Sequence, residues 1–291
     1  MPKAIVGIIG GSGVYDLPGL ADLREERIKT PWGEPSDALR LGRIGNTEAV
    51  FLPRHGRGHR LSPSGINYRA NIDALKRVGV TDIVSVSACG SFKPELQPGL
   101  FVLVDQFVDR TFARASSFFG NGCVAHVSMA HPVAPLLRER LRDAGRAEKI
   151  DVVNRGTYVC IEGPQFSSYA ESLTYKAADY EVIGMTAMPE AKLAREAEIS
   201  YATIAMVTDF DCWHPDHDAV DVAAVIRVVH ENARKVSRLL TRLLTDFPAE
   251  HEPCPIGSDR ALENAIITAS DARDPEMLRK LDAVMGRVLG E

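Results

Sequence analysis

The sequence predicts an α/β fold: a mixed central β-sheet flanked by helices, with a short helical C-terminal appendage. Three observations predict it. Short β-branched runs alternate with amphipathic helical stretches through most of the 291 residues, the order that builds a sheet covered by helices. A Gly45-Asn46 turn between two apolar runs, residues 39–44 and 49–52, signals an antiparallel hairpin and makes the sheet mixed. Strand-like runs also end repeatedly in clusters of Gly, Ser, His or Asp, where open α/β sheets place their ligands.

The totals fit a single large domain, since 45% hydrophobic residues can fill a substantial core. Residues 1–246 read as that domain. Residues 247–291 begin in a linker with Pro248, Pro253 and Pro255 and continue as the appendage. A net charge of −5 supplies no polycationic surface, which argues against nucleic acid as a partner. The start of the chain lacks a basic n-region before an apolar one, and no 18 apolar residues run together; a cytoplasmic protein without a membrane partner is expected. The five cysteines are widely spaced with no CxxC pair, against both a zinc site and a disulfide framework.

In chain order, residues 4–9 form a strand that feeds Gly10-Gly11-Ser12-Gly13. Glycine amides and a serine hydroxyl suit an oxyanion, although a plain tight turn reads the same way. The spacing is neither the dinucleotide pattern nor a Walker loop. The second hairpin strand delivers Arg54, His55, Arg57, His59 and Arg60, a cluster suited to phosphate or carboxylate or to solvent.

Residues 67–78 are amphipathic and end at Gly79, a helix. Residues 81–86 form a strand expected to stop at Ser87-Ala88-Cys89-Gly90. A strand follows at 100–104, then a glycine- and aromatic-rich stretch, 107–123, that reads as a long functional loop. A helix over 135–144 and a strand over 157–161 come next. Glu162-Gly163-Pro164-Gln165-Phe166-Ser167-Ser168 breaks that strand; its Phe and hydroxyls suit a planar ring, or a hydrophobic staple with a serine N-cap. Residues 182–186 repeat the strand-to-loop arrangement, and Pro189 is expected at N1 of a helix.

Residues 201–207 then run as a strand into Thr208, Asp209 and Asp211, and a His-rich loop leads to a long amphipathic helix over about 222–245. Two short helices follow, the second capped by Asp274 with Pro275 at N1. Asp209, Asp211, His214, Asp216, His217 and Asp218 contain metal-ligand types, but the two histidines straddle a proline three residues apart, and no metal is expected.

Together, Gly10 to Gly13, Pro53-Arg54-His55-Gly56, Asn67-Tyr68-Arg69-Ala70-Asn71, Ser87 to Gly90, Glu162 to Ser168, Gly184-Met185-Thr186-Ala187-Met188-Pro189-Glu190 and Asp209-Phe210-Asp211-Cys212-Trp213 resemble the nucleoside phosphorylase family, over residues 4–246. The resemblance implies that family's fold and phosphorolysis of 5′-methylthioadenosine, with inorganic phosphate as co-substrate and no cofactor. It implies that Ser12, Arg54, His55, Ser87, Ala88 and Thr186 hold phosphate, with His55 catalytic alongside the two aspartates. Asp209 and Asp211 are assigned to the purine, with Phe166, Ser167 and Thr208 beside it and Met185 against the ribose.

His59, Val222, Val225 and Ile226 are assigned to the 5′-methylthio group. His126 is expected to come from a neighbouring subunit, making the protein a homotrimer or a dimer of trimers. Ser12 and Ser87 stand where relatives often carry threonine, Gln165 where arginine is frequent, and residues 246–291 have no counterpart in the motifs.

The chemistry explains two acids at the base. A 6-amino group donates a hydrogen bond and N7 gains a proton as the base leaves, so a carboxylate and a carboxylic acid both fit. A 6-oxopurine wants an amide there, which favours adenine over hypoxanthine; the alternative is a broader purine nucleoside phosphorylase taking inosine, guanosine, adenosine or methylthioinosine. An ordinary Asp titrates near ~3.9, so either acid needs burial or a like-charged neighbour to carry a proton at neutral pH.

Overall fold

The computed structural model describes residues 2–11, 17–214 and 222–289. Its strands are β1 (Ile5–Gly10), β2 (Ala21–Glu26), β3 (Leu39–Ile44), β4 (Thr47–Pro53), β5 (Asp82–Ser91), β6 (Phe101–Leu103), β7 (Gln106–Arg110), β8 (Val152–Val153), β9 (Thr157–Ile161), β10 (Val182–Gly184) and β11 (Ser200–Asp209). Its helices are α1 (Tyr68–Arg77), α2 (Pro135–Ala147), α3 (Tyr169–Ala177), α4 (Ala187–Glu196), α5 (Val222–Thr245), α6 (Pro275–Lys280) and α7 (Asp282–Leu289). Among the described residues no helix is long and apolar enough to cross a membrane.

The strands join in one mixed sheet ordered β2-β3-β4-β1-β5-β10-β9-β7, and it branches at β5, which also pairs with β11; β11 in turn carries β6, and β6 carries β8. The first half of β5 lies parallel to β1 on one side and to β11 on the other. Past Ser85 the β1 partner is gone, and Gly90 and Ser91 pair antiparallel with β10 instead. The sequence places a strand end after Val86; in the structure the strand continues through Ser87-Ala88-Cys89-Gly90 to Ser91. Small side chains make this possible, because β5 passes between β11 and β10 where a Cβ on Gly90 would lie 2.8 Å from Asp209 Oδ1.

Two other strands differ from expectation. β2 is five-sixths exposed and highly charged, so it lacks the apolar alternation that reveals a strand. β7 occupies the start of the stretch read as a loop, and pairing with β9 holds it there. The helices sit where their caps place them. Asn67 accepts from Ala70 N–H before α1, Ser168 and Glu171 form a capping box before α3, and Asp274 caps α6 with Pro275 behind it. In α4 a short turn at Ala187 precedes a kink: Met188 is in extended backbone (φ −117°, ψ 136°), and the continuous helix begins after it with Pro189 as its first helical residue, as the sequence predicts.

One face of the sheet packs against α1, α4 and α7, the other against α2 and α5. The residues after Thr245 are built into this body. Leu281, Val284 and Met285 are buried in the core shared with Ile72, Leu75 and Leu193, Ala4 N–H donates to the Ala249 carbonyl at 3.0 Å, and Arg287 grips the buried Glu198 through two 2.7 Å bonds. His251 Nδ1 lies 2.9 Å from Asp82 Oδ2 at the root of β5. Burial opposes charge on His251, but the Asp82 carboxylate outweighs it and raises the imidazole above its ordinary value.

Leu281→Ala should lower stability by about 2–5 kcal/mol in urea unfolding, and a change below about 1 kcal/mol would mean that the C-terminal helices do not share the core. Because the folded His251 holds its proton more tightly than the unfolded one, its contribution is complete below the unfolded value, near ~6.5, and disappears as pH rises through the folded value. The stability difference between the native chain and His251→Asn should therefore shrink as pH rises above ~6.5; a difference that grows would reverse the assignment.

Candidate active site

At the end of β11 a register shift between Val207 and Asp209 bulges the strand, bringing Asp209 level with Gly90 rather than with its next residue. Thr208 Oγ1 lies 3.1 Å from the Cys89 carbonyl and 2.7 Å from Asp209 Oδ2. The Asp211 N–H donates to Asp209 Oδ1 at 2.8 Å, a turn that puts Asp211 in the left-handed region at φ 51°. Aspartate tolerates that region better than most residues. Asp211 is buried, and its Oδ2 has no hydrogen-bond partner among the described residues. Burial raises both carboxyls above the ordinary range, and the Asp209 charge raises Asp211 further.

The two carboxylates form one wall of a cavity of about 90 Å³. Phe166 and Ser167 face it from the segment before α3, Met185 from the end of β10, Ala88 and Gly90 from β5, and Val225 from α5. Two glycines fix its shape. A Cβ on Gly163, which has φ 64°, would meet Met185 Sδ at 2.4 Å, and one on Gly184 would fall 1.8 Å from the Tyr158 hydroxyl. Polar edges of Asp and Ser beside apolar Ile161, Phe166 and Ile183 suit a flat, partly polar heterocycle.

A second set of polar groups gathers along β5 and its neighbours. The buried Ser87 Oγ donates to the Ala88 carbonyl at 3.0 Å and lies 3.5 Å from Thr186 Oγ1 and 3.2 Å from the Tyr158 hydroxyl. Thr186 stands at the start of α4 without capping it through its side chain. Arg54 is buried beneath them: Nε donates to Glu190 Oε2 at 2.9 Å, Nη2 to Ser85 Oγ at 2.7 Å and Glu190 Oε1 at 3.1 Å, and Nη1 to the Val86 carbonyl at 2.9 Å. Tyr201 also donates to Glu190, at 2.9 Å. The guanidinium is thereby fixed in plane, and one Nη1 hydrogen beyond the Val86 bond has no partner among the described residues.

His55 Nδ1 lies 2.8 Å from the Leu61 carbonyl, which can only accept, so the proton sits on Nδ1 and leaves Nε2 as an acceptor in the neutral ring. Burial lowers His55 to about 4, with the Arg54 charge adding to the effect, so the ring is neutral at physiological pH. His59 stacks on it at 4.1 Å between ring centroids and is otherwise exposed.

Ala88, Phe166, Ser167, Met185, Thr208, Asp209, Asp211 and Val225 thus meet at one cavity, and Ser87, Thr186, Arg54 and His55 lie along the adjoining strand ends. His59, Ile226 and His126 are exposed and do not line the cavity. Ser12, together with Asp216, His217 and Asp218, lies outside the described residues, as does the side chain of Val222.

Sequence reasoning missed Arg114. Its side chain is buried, and it donates to the carbonyls of Met185 (2.7 Å), Met188 (2.6 Å) and Glu162 (2.7 Å), and to the Tyr68 hydroxyl (3.2 Å). It therefore ties together three segments around the cavity. A single arginine inside an aperiodic stretch carries no local signal for that role.

Gly90→Ala should displace Asp209 and lower kcat/KM by about tenfold or more while the chain remains folded, because a misplacement near 1 Å at a reacting group costs up to ~10²-fold. Steady-state rates beside a melting curve test this, and unchanged kinetics would mean that Asp209 is not held by its approach to β5.

Comparison with known proteins places this geometry. The sequence profile of the phosphorylase superfamily matches residues 5–245. The chain is 71% identical over 289 residues to the S-methyl-5'-thioadenosine phosphorylase of Bradyrhizobium diazoefficiens, covering 99% of both chains, and 58% identical over 287 residues to that of Cereibacter sphaeroides, again with 99% of both covered. Among solved structures, a methylthioadenosine phosphorylase from an antarctic soil metagenomic library superposes with a TM-score of 0.91 at 46% identity, covering 98% of this chain and 99% of the other. The Schistosoma mansoni methylthioadenosine phosphorylase in complex with adenine gives 0.80 at 38% identity, with coverages of 86% and 93%. Coverage by the bacterial relatives extends past Thr245, so the C-terminal residues that the motifs leave without a counterpart are shared with them. The chain belongs to the phosphorylase superfamily, in the family of these S-methyl-5'-thioadenosine phosphorylases.

Proposed function

We propose that the protein catalyses the phosphorolysis of 5′-methylthioadenosine, yielding adenine and 5-methylthioribose 1-phosphate. The observation that carries this reading is the pair of carboxyls, half-buried Asp209 and buried Asp211, on one wall of a cavity that also presents Phe166, Ser167 and Met185, with Ser87 and Thr186 hydroxyls beside it. Relatives with 71% and 58% identity bear the corresponding enzyme name, which supports the 5′-methylthio nucleoside over the broader purine range.

The C1′–N9 bond breaks as a phosphate oxygen approaches C1′, giving the sugar oxocarbenium character. The electron pair of the broken bond passes into the purine, and N7 takes a proton. The aspartate pair holds one proton for that transfer, and the carboxylate left ionised accepts from the 6-amino group. Ser87 and Thr186 donate to phosphate, with Ser12 and Ala88 beside them. His55, neutral with Nε2 as an acceptor, takes a hydrogen bond from a phosphate hydroxyl, and the Arg54 charge favours the anion. Met185 lies against the ribose, while His59, Val222, Val225 and Ile226 receive the methylthio end.

We further infer a homotrimer, or a dimer of trimers, acting in the cytoplasm without a cofactor, in which His126 reaches the site of a neighbouring subunit; its exposed position supports this. Light scattering should then give three or six times the 31.8 kDa chain mass.

Adenine release should depend on phosphate, and equal initial rates in phosphate-free buffer would replace the phosphorylase with a hydrolase. Asp209→Asn and Asp211→Asn should each lower kcat/KM on 5′-methylthioadenosine by about 10²-fold or more, and the double variant should shift preference toward 6-oxopurine nucleosides. Because the folded carboxyls are raised, the proton persists above the ordinary carboxylate range and is lost as pH rises, so kcat/KM should fall on the alkaline side of that raised value. A rate rising monotonically with pH would exclude the acid role.

A further inference from the structure

The phosphate side of the site contains a fully buried phenol that the mechanism does not use. We propose that Tyr158 is a positioning residue for the phosphate site: its hydroxyl donates to Ser87 Oγ and thereby directs the single Ser87 proton toward the anion. This rests on the reading of Ser87 as a phosphate donor.

Four observations carry it. Tyr158 stands on β9 with no exposed surface, and its hydroxyl lies 3.2 Å from Ser87 Oγ, its one hydrogen-bond partner among the described residues. Space for that hydroxyl is made by Gly184, since a Cβ there would sit 1.8 Å from the phenol oxygen. The ring is held edge-on by Phe107 at 6.0 Å between centroids. Ser87 already spends its proton on the Ala88 carbonyl at 3.0 Å, which leaves the phenol as donor and Ser87 Oγ as acceptor. Burial holds the phenol far above its ordinary range, so it stays protonated wherever the protein is folded.

The consequence follows from hydroxyl stoichiometry. A serine oxygen offers one proton and two lone pairs. With one lone pair taken by Tyr158, the Ser87 proton has two outlets, the Ala88 carbonyl and a phosphate oxygen. When phosphate arrives the proton turns from the carbonyl to the anion while the Tyr158 bond stays in place. The chain Tyr158 O–H to Ser87 O–H to phosphate polarises along its length, strengthening the outer bond. Thr186 Oγ1, 3.5 Å from Ser87 Oγ, then meets the same anion as a second hydroxyl.

The test is a double-mutant cycle on the intact protein: Tyr158→Phe, Ser87→Ala and both together, with KM for phosphate, KM for the nucleoside, kcat and the melting temperature recorded for each. Losing one buried hydrogen bond to a polar group costs about 0.5–1.5 kcal/mol, so Tyr158→Phe should raise KM for phosphate by roughly two- to tenfold. KM for the nucleoside should stay unchanged. In the Ser87→Ala background the same substitution should have no effect on KM for phosphate. An equal effect in both backgrounds would overturn the proposal by showing that Tyr158 acts through packing. No effect of Tyr158→Phe alongside a raised KM in Ser87→Ala would overturn it while leaving the phosphate assignment intact. An unaltered KM for phosphate in Ser87→Ala would remove the phosphate assignment itself, and the inference with it.

Discussion

The close approach of β11 to β5 at Gly90 is the constraint on which the rest of the site depends. β5 exchanges its β1 neighbour for β10 partway along, so it belongs to two parts of the sheet at once. That exchange places the Ser87 hydroxyl on one stretch and the Asp209 contact three residues later on the same strand. The two reactive poles of the site are therefore set by one piece of regular backbone. Because side chains alternate across a strand and rise about 3.3 Å per residue, the distance between nucleophile and base is held by backbone geometry rather than by a flexible loop. The bulge at Thr208 adjusts the last residue of β11 to fit.

Buried charge is the second organising feature. Arg54 and Glu190 are both almost wholly inaccessible and share two contacts. Such a pair adds little net stability against an apolar replacement, yet losing one partner leaves an uncompensated charge at a cost of about 3–5 kcal/mol. Its value lies in orientation: Glu190, Ser85 and the Val86 carbonyl hold the guanidinium to one plane. At the other pole the logic inverts. Among the described residues Asp209 and Asp211 have no cationic partner in contact, so burial makes protonation easier rather than stabilising the charged forms. Opposite polarity at the two ends follows from where the chain supplies a counter-charge and where it withholds one.

Between them, loops are held by side-chain hydrogen bonds. Arg114 fixes the carbonyls behind Met185 and after Ile161, and Glu162 in turn accepts from the Phe112 amide at 2.8 Å. Glu196, raised to about 7 by burial, ties Ser117 and the Phe118 amide to α4. Together these contacts turn the aperiodic stretch after β7 into a brace across the site, and they account for a charged residue inside an otherwise apolar wall.

Much of this was legible in the sequence. Hydrophobic period, the hairpin turn, the caps at Asn67, Ser168 and Asp274 and the two acids after an apolar run are local signals, and local chemistry determines them. They mark most elements, the mixed sheet and the two acids; Met185 and Val225 at the cavity are assigned through the family resemblance. What only the tertiary structure decided is non-local. β5 runs on through small residues because β10 and β11 flank it. β2 forms despite its charged sequence because β3 offers it an edge. Arg54 lies beneath the site because Glu190, distant in sequence, meets it there. Tyr158 reaches Ser87 only because Gly184 stands aside. The C-terminal helices, an appendage by composition, supply Leu281, Val284 and Met285 to the main core. In each case the deciding term is a contact between residues far apart in the chain, and a sequence read locally specifies the groups that can make such a contact but not which of them will meet.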